Sequence, residues 1–144
     1  MTAASVPPPR GAQVLRGDRR LAAVMAFEAA TLAAFAALHL SGLLRPGSGS
    51  SNGYGAGVAE AIICLVLVLG LRAFVRSPAR GRPTALAATA FAILGFIVGL
   101  TFTVRGGAPV DLIYHATMFP ILVLTGLMLG RGVGSAALGR RGRG

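Results

Sequence analysis

The 144-residue chain is 54% hydrophobic and 12% charged, roughly half the charged fraction usual in soluble domains, which excludes an ordinary water-soluble fold. Its formal charge of +10 comes from 14 arginines with no lysine; they cluster at the ends of apolar segments, so they argue for membrane orientation and against nucleic-acid binding. The lone cysteine, Cys64, allows no internal disulfide and reads as a small buried apolar residue.

Residues 1–18 carry Pro7, Pro8, Pro9, Gly11 and Gly17 and read as a flexible cytoplasmic tail. Arginines 16, 19 and 20 then precede an apolar run from Leu21. A signal peptide starts similarly, but this run continues to about Leu44 and holds Glu28 and His39, so it reads as a retained membrane span. Glu28, Leu32, Phe35 and His39 fall on one helical stripe that should face protein, because a lipid-exposed Glu28 would be costly. Residues 45–57, rich in glycine and serine, read as a flexible aqueous loop.

The second span is expected over Val58 to Val75, with Glu60 near its start, Cys64 on the same face and Arg72 near its far end. Arg72 and Arg76 can snorkel to the interface, and Arg72 is an expected partner for Glu28. The segment from Arg76 to Pro83 reads as a turn joining an antiparallel hairpin, and the third span as Thr84 to Val104. Within that span Gly95 and Gly99 form a small-xxx-small notch suited to close helix packing, inside the chain or between subunits.

The fourth span runs from about Asp111 to Gly130. Asp111 and His115 stand four residues apart, about 6 Å of axial rise, and therefore share a face. Pro120 can bend this helix, and the arginines after Gly130 should draw residues 132–144, a basic cytoplasmic tail, to anionic lipid headgroups. The expected architecture is an all-α integral membrane protein, a compact antiparallel bundle of four transmembrane helices over residues 19–131. Four arginines lie in each tail and four around the central turn, against Arg45 and Arg105 alone in the two remaining loops. That bias places both termini in the cytoplasm and makes the chain a multi-pass protein of the cytoplasmic membrane.

In this topology His39, Glu60, Asp111 and His115, from three helices, lie at similar depth in the outer half. Two imidazoles with carboxylates are suitable ligands for zinc, iron or manganese. His39 and His115 would instead hold a haem if they faced one another across a gap. The same groups also suit proton exchange or the polar head of a substrate such as a quinone. Each residue has a plainer reading too: Asp111 and Glu60 stabilise helix N-termini, and His39 is an interfacial residue. Glu28, about 10 Å into its span, is a proton site or a structural partner of Arg72.

No motif selects among these chemistries, and no reaction is assigned. The leading expectation is a small membrane component that binds a metal, haem or quinone within a membrane complex, with a membrane protein or a second copy as partner. The alternatives are a scaffold or accessory subunit built on the Gly95 and Gly99 face, and a small proton-coupled transporter using Glu28.

Overall fold

The computed structural model describes residues 10–44 and 53–141, with side chains described within 16–44 and 54–132. Four helices account for most of them: α1 (Arg10–Leu40), α2 (Gly53–Arg76), α3 (Pro78–Thr103) and α4 (Pro109–Arg141). Each contains a stretch long and apolar enough to cross a membrane, namely Arg16–Leu40, Tyr54–Arg76, Pro78–Thr103 and Pro109–Gly132. Helix is the form such segments take in hydrocarbon, because it satisfies every interior N–H and C=O within the segment itself. Neighbours in sequence pack together, α1 on α2, α2 on α3 and α3 on α4, and a lighter α1–α4 contact closes the ring.

Helix boundaries depart from the sequence reading in five places, one being the end of α1 at Leu40 where the span was expected to reach about Leu44. The helix of α1 begins at Arg10, inside the expected tail, and α2 begins at Gly53, inside the expected loop. The α4 backbone stays helical to Arg141, past Gly130. Pro78 occupies the start of α3, where its missing N–H costs nothing, so only Ser77 separates α2 from α3 and Pro83 lies inside the helix. The expected turn over 76–83 is therefore mostly helix. The triple proline and residues 45–52 lie outside the described residues.

At the other end of α1, Gly42 adopts a left-handed φ of 75°. Its N–H donates to the His39 carbonyl and that of Leu43 to the Leu38 carbonyl, which closes the last turn and fixes His39 within it.

The helices approach most closely at the end where α2 turns into α3, here called the arginine end. A Cβ on Gly81 would overlap the Ala73 carbonyl, and one on Gly70 would press on the Ala88 side chain, so backbone meets backbone there. Leu21, Met25, Phe74, Ala85 and Leu129 fill this end of the core. Arg82 donates to the Asp18 carboxylate at 2.5 Å and lies 5.3 Å over the Phe74 ring, which ties α1, α2 and α3 together. Leu32, Ile63, Leu67, Phe96, Met118 and Leu122 fill the middle. Large apolar side chains such as Phe27, Leu65, Leu94 and Leu124 face outward, as a chain solvated by lipid permits.

Candidate functional site

Away from the arginine end, α2 and α3 stand apart and leave a cleft of about 920 Å³. Its walls are apolar, from Ile62 and Ile63 on α2 and Phe91, Leu94, Val98 and Phe102 on α3. Several of these side chains are exposed on the outer flank of the bundle, so the cleft is open toward the surroundings of α2 and α3. The inner surface carries His39, Glu60, Asp111, Tyr114 and His115, and Arg105 stands among the lining residues in the loop before α4. Four of the residues singled out from sequence, His39, Glu60, Asp111 and His115, thus meet on one cavity, each no more than 8% exposed.

His39 is the centre of the group. Its Nδ1 is 2.8 Å from Glu60 Oε2 and its Nε2 is 3.2 Å from Asp111 Oδ2, so one imidazole joins α1 to both α2 and α4. For both contacts to be hydrogen bonds each must hold a proton. A neutral imidazole supplies one; the second makes His39 an imidazolium or neutralises one of the acids. With those two bridging protons the three groups together carry one net negative charge.

Asp111 stands in the first turn of α4, where a carboxylate favours the helix N-terminus. Yet its Oδ2 goes to His39, and Oδ1 is buried without a hydrogen-bond partner. His115 lies one turn on and shares a face with Asp111, but its ring addresses the main chain: Nδ1 donates to the Asp111 carbonyl at 2.8 Å. That bond fixes the tautomer of the neutral ring and leaves Nε2 as an acceptor. Gly99 makes the placement feasible, since a Cβ there would come 2.7 Å from His115 Nε2. Gly95 is occupied in a similar way, for its missing Cβ is where the Ile63 side chain packs. The glycine notch is therefore filled from within the chain.

The donor set does not suit the metal or haem expectations. Both ring nitrogens of His39 face carboxylates, so no lone pair is left there for a metal ion or for iron opposite His115. Among the described residues no group of three His, Cys, Asp or Glu side chains is arranged to hold a metal ion.

Glu28 occupies a separate polar position in the α1–α4 seam. Of the two roles expected for it, proton site or partner of Arg72, the second is not realised: Thr125 of α4 donates to Glu28 Oε1 at 2.7 Å, while Oε2 is buried without a hydrogen-bond partner. Arg72 is close to the same depth in sequence terms but belongs to α2, whereas the Glu28 side chain turns toward α4. Cys64 is a packing residue whose thiol donates to the Ala29 carbonyl of α1 at 3.2 Å.

Three seam residues had no place in the sequence reading. Tyr114 stacks on Phe35 with ring centroids 3.7 Å apart and donates to Thr31, and Thr125 holds Glu28. Their signal was present: Asp111, Tyr114, His115, Met118, Leu122, Thr125 and Leu129 recur at spacings of three and four, and all are buried. No family model, curated protein or solved structure matches the chain.

Proposed function

We propose that this chain is a small multi-pass protein of the cytoplasmic membrane that takes the polar head of a lipid-dissolved amphiphile into its outer half and exchanges hydrogen bonds and protons with it. The supporting observation is the cleft, whose apolar walls open outward and whose inner surface ends on the His39 group and His115. An amphiphile satisfies both parts at once, its chain replacing lipid against Leu94 and Val98 and its head replacing water at the buried polar groups. A site of this shape needs no metal, and it suits a ligand that arrives sideways from the bilayer. The arginine distribution supports an orientation with both termini in the cytoplasm and the His39 end outside.

Native mass spectrometry of the intact chain released from nanodiscs tests this reading. One amphiphile should accompany the wild-type chain and be missing from Ala59→Trp, which puts bulk among the lining residues without touching the polar groups. Equal occupancy in the two proteins would argue against the cleft as the binding place.

A further inference from the structure

Apart from the exposed Arg105, the polar surface of the cleft is one-sided in its hydrogen bonding. The ring N–H positions of His39 face Glu60 and Asp111. The His115 Nδ1–H is spent on the Asp111 carbonyl, the Tyr114 hydroxyl on Thr31 and the Thr103 hydroxyl on the Gly99 carbonyl. What these groups leave over are acceptors: Asp111 Oδ1, buried with no partner, and His115 Nε2. A buried acceptor without a donor is costly, and here it belongs to a cluster of two carboxyl groups around one imidazole. A ligand head that brings N–H or O–H donors and a positive charge corrects both defects.

We infer that the cleft binds a protonated primary or secondary amine carried on an apolar chain, its ammonium N–H groups directed to the Asp111 carboxylate and His115 Nε2. The inference rests on the cleft reading above and specifies its ligand. Other amphiphiles match less well. An oxidised quinone can be met by the exposed Arg105 but offers Asp111 and His115 only further acceptors. A fatty-acid anion can likewise pair with Arg105 but adds negative charge beside Asp111 and Glu60. A quaternary ammonium carries the charge but no N–H, and an alcohol carries the donor but no charge. The exposed Arg105 lies in the lining as well, where it can meet a phosphate if the amine belongs to an aminolipid.

The test is equilibrium binding of dodecylamine, dodecyltrimethylammonium, dodecanol and dodecanoate to the full chain in phosphatidylcholine nanodiscs, each corrected for partition into empty nanodiscs. Dodecylamine should bind about tenfold or more tightly than the other three, the scale of a charge-assisted hydrogen bond. Asp111→Asn should remove most of that margin while dodecanol binding persists, and Ala59→Trp should abolish both. Dodecanol or dodecanoate binding as tightly as the amine, with Ala59→Trp still blocking it, would overturn the amine inference and leave the cleft reading standing. No saturable binding of any of the four, or binding indifferent to Ala59→Trp, would overturn both. Adding phosphatidylethanolamine identifies the source of the amine: competition with dodecylamine points to a bilayer aminolipid, and its absence to a free amphiphilic amine, either outcome being read only once the amine preference is established.

Discussion

At the arginine end, α2 and α3 touch backbone to backbone where Gly81 meets Ala73, whereas at the His39 end the same two helices enclose a cleft of about 920 Å³. One end is joined by the absence of side chains and by the ion pair of Asp18 with Arg82. The other is joined by a charged hydrogen-bonded group that bridges helices without filling the space between α2 and α3. Rigid closure at one end lets the opposite end stay open without the hairpin coming apart, so a buried polar group can be held in place beside a cavity.

Substitution at the arginine end should have the largest effect. Gly81→Leu places a side chain where the Ala73 carbonyl lies, and neither backbone can yield without separating the helices. A loss of about 3 kcal/mol is expected from overpacking at such a contact, read as a lower midpoint in detergent-induced unfolding. An unchanged midpoint would mean that this contact is not what joins the hairpin.

His39→Ala should come next. It leaves Glu60 and Asp111 facing a void, and each acid can take up a proton, which limits the cost to about 2 kcal/mol. The informative comparison is His39→Ala with Glu60→Gln and Asp111→Asn added. Restored stability in the triple variant would show that unpaired carboxylates cause the loss; no recovery would assign it to the cavity.

Smaller effects are expected from the two remaining ties. Thr125→Val removes the hydrogen bond to Glu28 and should cost about 1 kcal/mol, the scale of interhelical bonds in membranes. If Glu28→Gln costs no more than that, the residue serves packing and no charge is needed there. Arg82→Met breaks the ion pair with Asp18 but keeps an apolar contact with Phe74, and should cost less than about 1 kcal/mol, because the pair is partly exposed.

Much of this arrangement is legible in residue order, and the remainder is not for identifiable reasons. The stripe of Glu28, Leu32, Phe35 and His39 follows from helical period alone, and all but Phe35 are buried. The shared depth of His39, Glu60 and Asp111 follows from counting residues from the span ends. Rotation of each helix about its axis is not contained in such counts, and it decides partners. Arg72 and Thr125 were both within reach of Glu28 by depth, and the helix packing selected Thr125. Asp18, assigned to a tail, lies within α1 and meets Arg82, a residue that charge counting treated only as an orientation signal.

Four apolar segments, the period of the buried stripes and the glycines that permit contact were determined by the sequence itself, because span length and helical period are local properties of the chain. Tertiary packing alone decided that His39 would use both ring nitrogens on two carboxylates, that Asp111 Oδ1 would be left without a partner, and that α2 and α3 would part at one end. Those outcomes depend on the angular setting of several helices at once, which close packing fixes cooperatively and no single segment encodes.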